Sequence, residues 1–216
     1  MPDEKKIRTI KPLGFRYGLF RFFIWLYVAI IALSAVIAYA EYGDFSDAPA
    51  LIAEFYTQLR VLSYGDAFFV ALVLAVLGLV ACFVAYALFF QRAMHNVWAS
   101  DVDEVTVQPF AMWAWYFVPF INLFMPYRGV SQVYKGSVNP DDPSSVNVLL
   151  VRYWWAFWLL ANIIENLDEY LIGFSASAAT IYLIGVVVCY TISSLLLLEL
   201  IKNVYEGQKR NFFDGA

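Results

Sequence analysis

Arg152 and Glu199 stand inside, or at the end of, long apolar runs of the sequence. An ionised side chain in hydrocarbon is costly and takes a partner. Arg152 is expected to face a helix bundle and form a buried ion pair with Glu199, or to bond a carbonyl freed by Pro119 or Pro126. The alternative is that its guanidinium reaches back to the headgroups. No other ionisable residue lies at mid-run, so a proton or ion relay is not expected. A second candidate is aromatic. Trp113, Trp115, Trp154, Trp155 and Trp158 lie on one side of the predicted topology, with Arg128 close in sequence. An aromatic cavity open to the inner leaflet would hold a lipid headgroup or a hydrophobic ligand, with Arg128 or Arg152 on the phosphate. The same residues equally make an ordinary interfacial belt, since indole favours the headgroup level.

The other reactive residue types give little. His95 is the single histidine and has no Cys or His companions, so no metal site is expected. The carboxylates Glu41, Asp44, Asp47, Glu54 and Asp66 lack the spacing of a calcium loop and read as a solvated rim. Cys82 and Cys189 fall mid-run and read as small hydrophobes. There is no nucleophile–base pairing, P-loop or HExxH motif, so neither an enzyme nor a cofactor is expected. Gly173 and Ser177 are four apart among alanines, a spacing that lets helices approach closely and marks a packing seam.

The elements that must position these residues are dictated by composition. Of 216 residues, 62% are hydrophobic and only 15% charged, with a mean hydropathy of +0.65. Soluble domains run at about 45–50% apolar and about 25% charged. The net charge of −4 argues against nucleic acid as a partner. An all-α integral membrane bundle remains. A crossing helix needs about 20 apolar residues. Runs over 19–40, 67–90, 148–164 and 170–200 are predicted as four transmembrane helices. The run 110–127 contains Pro119 and Pro126, with Asn122 between them to satisfy freed backbone groups. It is predicted to break and to re-enter or lie in the interface. With 110–127 returning on itself, every basic residue but Arg60 falls on the inner side, and both termini are cytoplasmic. Ala38-Tyr39-Ala40 resembles a signal-peptidase site, but the apolar run before it exceeds the usual signal core of about 7–15 residues. An uncleaved first span is expected.

Between the runs, Leu51, Ile52, Phe55, Leu59 and Leu62 recur at helical spacing after Asp47 and Pro49. They predict a short outer amphipathic helix. The second run is expected to stay helical to about Trp98, followed by an acidic turn at Asp101, Asp103 and Glu104. Residues 135–147 carry loop chemistry, and the last run is long enough to protrude into the cytoplasm. One membrane domain over 15–206 is expected, with tails at 1–14 and 207–216.

Residues 92–158 carry a pattern of their own. Arg92 and Asn96 follow a membrane helix, and Trp113, Trp115, Phe117, Val118, Pro119, Asn122, Pro126 and Tyr127 follow Pro109. Trp154, Trp155 and Trp158 lie on a later helix. This pattern resembles a bacterial membrane-protein family catalogued as a domain of unknown function 4328. The acidic turn Asp101–Glu104 departs from the basic or glycine-rich sequence common in the family. The resemblance implies a multi-span protein of the bacterial inner membrane and supplies no activity. Two roles fit the residues. One is an accessory or scaffold subunit that binds another membrane protein, or its own copy, through the seam and the outer helix. The other is a lipid or hydrophobic-ligand binder that uses the inner aromatic pocket.

Overall fold

Unbroken stretches of Leu, Ala, Val and Phe have no turn residues to stop them. In a bilayer, each backbone N–H and C=O must be paired within its own segment, which leaves the helix as the available form. The computed structural model describes residues 10–42, 54, 57–58, 66–102, 105–167 and 176–214. Six α-helices cover most of these: α1 (Gly14–Tyr42), α2 (Asp66–Ala99), α3 (Ala111–Ala114), α4 (Met125–Val138), α5 (Leu149–Glu165) and α6 (Ala176–Phe212). Short 3-10 turns lie at Trp115–Phe117, Ile121–Leu123 and Pro143–Ser145, and no strand occurs among the described residues.

Among the described residues, three helices are long and apolar enough to cross a membrane, over Gly14–Leu33, Val73–Ala99 and Ile184–Phe212. At 1.5 Å per residue, α2 and α6 are roughly 50 and 55 Å long, well beyond a hydrocarbon core of about 30 Å. The second of the expected runs stays helical to Ala99, close to the expected Trp98. α5 has 17 residues, or roughly 25 Å, short of that core. The long helices show lipid-like surfaces, with Leu74, Leu77, Val80, Val84 and Leu88 exposed along α2.

The contacts group into two units. The first comprises residues 1–22, 83–156 and 195–216, and the second 23–82 and 157–194. In the second unit, the Tyr190 hydroxyl donates to Glu165 Oε2 at 2.6 Å, and Tyr27 meets the Tyr190 ring edge-on. Glu165, exposed at the end of α5, is thus tied to α6. Gly78 lets α2 approach α1, since a Cβ there would lie 2.9 Å from Ile30 Cδ1. The first unit buries Phe20, Phe89, Phe90, Met94, Met112 and Leu200.

Two boundaries differ from expectation. Residues 125–138 form the amphipathic helix α4, where the end of the broken run and, from 135, a loop were expected. Pro126, Gly129, Val130, Val133, Tyr134 and Ser137 make its buried stripe, at the i, i+3, i+4, i+7 period of a surface helix. Residues 207–212, expected in the C-terminal tail, continue α6, where Gln208 is buried. Leu13, expected in the N-terminal tail, is also buried. The outer amphipathic helix over 51–62 and Gly173 fall outside the described residues, apart from isolated positions of the former. The side chain of Ser177 falls outside them too.

Candidate functional site

Everything described in this site lies in the first unit. The run 110–127 leaves and returns to one place. Gln132 Oε1 accepts from the backbone N–H of Thr106 at 3.0 Å and of Val107 at 2.9 Å. Trp98 Nε1 on α2 donates to the Val107 carbonyl at 2.8 Å. On the far side of the run, Gly136 of α4 sits against Val97, which a Cβ would approach to 2.6 Å. Both ends of the run are therefore fixed at the Val97–Trp98 level of α2.

Its middle lies elsewhere along α2. The Phe117 ring meets Phe83 edge-on at 5.6 Å, and Tyr116 donates its hydroxyl to that of Tyr86 at 3.0 Å. Phe83 is fifteen residues before Trp98 and nine before Arg92. Along a helix these separations are about 22 Å and about 13 Å. The chain thus runs down α2 to the apolar level of Phe83 and comes back, which forms a hairpin.

The hairpin turns at Pro119-Phe120. Ile121 N–H donates to the Pro119 carbonyl at 2.8 Å, and Phe120 between them has φ 63° and ψ −41°. This is the rare, strained form of the γ-turn. The surrounding backbone is well paired. Val118, Ile121, Asn122, Leu123 and Phe124 all donate their N–H groups to carbonyls within the hairpin. Pro119 and Pro126 have no N–H to leave unpaired. The Leu123 carbonyl, which Pro126 three residues on cannot serve, accepts from Trp155 Nε1 at 3.0 Å. Trp155, rather than Arg152 or Asn122, satisfies the freed carbonyl. Asn122 Oδ1 is sheltered and has no hydrogen-bond partner among the described residues. Pro119 marks the break, whereas Pro126 lies in the first turn of α4.

The aromatic residues divide by role. Trp154 and Trp155 are 3% and 5% exposed and stack at a tilt 5.3 Å apart. Trp155 also meets Tyr116. They are packing residues of an aromatic core with Phe20, Phe83, Tyr86 and Phe90. Trp113 and Trp115 are half-buried in the hairpin, and Trp158 belongs to the second unit. At the tip, Phe117, Phe120 and Phe124 are 68, 83 and 70% exposed, beside exposed Val118, Ile121 and Leu123. Arg128 is exposed one turn beyond Phe124 and donates to Thr106 Oγ1 at 3.2 Å. The expected Arg152–Glu199 pair does not form. Arg152 is exposed, and Glu199 pairs with Lys202 at 3.5 Å on its own helix.

A buried polar node, which sequence reasoning passed over, fastens the hairpin's base. Asn96 of α2 accepts from the Lys11 N–H and donates to the Lys11 carbonyl, at 3.1 and 2.9 Å. It also donates to Gln208 Oε1 at 2.8 Å. Gln208 Nε2 donates to the Ala93 carbonyl and Ser137 Oγ, both at 2.9 Å. A Cβ at Gly207 would strike the Ser137 carbonyl oxygen, so glycine is what lets α6 close on α4. Asn211 and Arg210 then cap the last carbonyls of α4, on Ser137 and Val138. The signal for this node was the polar Asn96 and Gln208 next to apolar helices. A cavity of about 230 Å³ beside it, lined by Pro12, Leu13, Tyr205, Lys209 and Phe213 among others, is small for a ligand site, whose usual range is about 300–1,000 Å³. Among the described residues no cluster of metal-ligating side chains occurs.

Neither the curated proteins nor the solved structures gave a match. A family model described as a domain of unknown function (DUF4328) matches residues 57–200, which takes in the hairpin, Asn96 and the aromatic core apart from Phe20. With two thirds of the chain so matched, this protein, which has no strand and three helices long and apolar enough to cross a membrane among its described residues, belongs to the DUF4328 family.

Proposed function

We propose that the protein is a non-catalytic membrane protein that works by engaging lipid through a re-entrant hairpin. In this reading α1, α2, α5 and α6 make four crossings of a bacterial inner membrane. Both termini, and both ends of the hairpin, stand on the basic cytoplasmic face. The observation that carries it is the pairing of Phe117 with Phe83 while Thr106 and Val107 bond Gln132. A segment whose two ends meet, and whose middle reaches the apolar part of a long helix, penetrates without traversing. Irregular backbone is tolerated at that depth only when its polar groups are satisfied, and here the N–H groups of residues 118 and 121–124 are paired along the turn. α5 is short for a crossing, and Arg152 one turn inside it can reach the headgroups, which eases such a mismatch. The polar side chains of the base are consumed in structural bonds, which supports a binding role over a catalytic one. A role as accessory subunit would use the outer helix and the Gly173–Ser177 seam.

Labelling of single cysteines tests the topology. In a Cys82→Ala, Cys189→Ala background, Lys11→Cys, Asn139→Cys and Asp214→Cys are expected to react with an impermeant maleimide from the same face of sealed vesicles. Reaction of Asn139→Cys from the face opposite Lys11→Cys would mean that residues 110–127 traverse, and would overturn the reading.

A further inference from the structure

We infer that the hairpin tip is a binding site for anionic phospholipid, with Phe120 and Phe124 in the acyl layer and Arg128 on the phosphate. The inference rests on the re-entrant reading above and names the ligand class of that same site. Three observations carry it. First, Phe120 occupies a γ-turn conformation that favours glycine, at a cost of about 1–3 kcal/mol for other residues, yet it is 83% exposed. Within the protein, glycine would serve the turn better. The ring therefore has its use outside the protein, against an apolar surface.

Second, that surface is lipid rather than a protein groove. The tip shares its apolar band with Val84 and Leu88 of α2, which are exposed in the same unit. The paired N–H groups of residues 118 and 121–124 leave no row of free donors for a partner's backbone to join. Third, Arg128 is exposed one turn past Phe124 and makes a single bond, to Thr106 Oγ1. A guanidinium has five N–H donors and matches phosphate oxygens in a bidentate fork. Arg128 also sits in the first turn of α4, where the helix dipole disfavours a cation unless an anion lies beside it. An aromatic tip followed by one outward arginine is the order that a leaflet presents in reverse: acyl chains, then phosphate.

Native mass spectrometry of the whole chain, taken from nanodiscs of phosphatidylcholine mixed with phosphatidylglycerol, reads the preference directly. The protein is expected to retain phosphatidylglycerol over phosphatidylcholine. Arg128→Gln is expected to reduce that preference about fivefold, Arg128→Lys to retain part of it, and Lys202→Gln, at a cation already paired with Glu199, to leave it unchanged. No preference in the wild type, an unaffected preference in Arg128→Gln, or an equal loss in Lys202→Gln would overturn the inference. A nitroxide on Phe120→Cys in the cysteine-free background separates the two levels. Accessibility to oxygen and shielding from an aqueous nickel reagent keep the hairpin in the bilayer whatever the lipid result. Free access to nickel removes the insertion itself.

Discussion

Asn96 has every polar atom of its amide engaged, and its partners lie on two other stretches of chain: the segment before α1, and α6. Truncation would leave the part-buried Lys11 N–H and carbonyl and the buried Gln208 oxygen without partners. An unmet buried group costs about 1–3 kcal/mol. Asn96→Ala is therefore expected to destabilise the first unit by about 3 kcal/mol, read as a fall in thermal midpoint in detergent. A shift comparable to that of an exposed control such as Lys202→Ala would show the node to be dispensable. A surface residue offers a contrasting case. The Asp142 carboxylate accepts from the Ser144 hydroxyl at 2.6 Å and from the Ser145 N–H at 3.3 Å, which caps the 3-10 turn before α5. These bonds, the Ser144 hydroxyl first, hold its pKa below the usual carboxylate value. Its contribution is complete above that usual value and is lost as the pH falls through the lowered one. Asp142→Asn should consequently be slightly less stable than wild type at neutral pH, and the gap should close in acid. A gap independent of pH would argue against the carboxylate as the cap. Neither role could be read from residue type. Asn96 is simply a polar residue near a helix end until the fold brings Lys11 and Gln208 to it.

Among the elements, the hairpin shows how a membrane protein accommodates two prolines in one apolar run. Proline removes a donor, which in lipid is harmless, and orphans a carbonyl, which is not. The structure meets that need from another element. Trp155 of α5 supplies its indole N–H to Leu123. Trp155→Phe keeps most of the ring packing and removes only the donor. It is expected to lower stability by about 1–3 kcal/mol, with increased proteolysis between Val118 and Phe124. An unchanged protease pattern would show that the carbonyl finds another donor. The break at Pro119 was legible, because proline chemistry is local. Its repair was not, because the donor lies 32 residues away in sequence. Helix α4 was hidden for a related reason. Its apolar stripe is narrow, it follows the prolines directly, and its glycines read as loop residues. Gly129 and Gly136 are instead contact points, against Met112 and Val97.

For the whole molecule, the distribution of basic residues and the hairpin's closure each support the proposed topology, from different physics. Charge bias concerns insertion, whereas the bonds joining Thr106 and Val107 to Gln132 concern the finished fold. The first unit gathers the start of α1, the end of α2, the whole hairpin, the start of α5 and the end of α6. This grouping is what the proposed four crossings would give. The labelling of Lys11→Cys, Asn139→Cys and Asp214→Cys addresses that grouping as one question.

The sequence by itself determined the solvent of this protein, and with it the helical class, because a 62% hydrophobic chain with few charges has one way to satisfy its backbone in hydrocarbon. It also determined where the apolar runs lie and that the proline-bearing run must break. Only the tertiary structure decided which side chains meet. It turned Trp154 and Trp155 from pocket walls into core, left Arg152 exposed, gave Glu199 to Lys202, and set Phe120 outward at the tip and Arg128 outward beside Thr106. Period and composition fix the face and solvent of a single helix. The pairing of groups far apart in the chain depends on how helices cross and how close their glycines let them come.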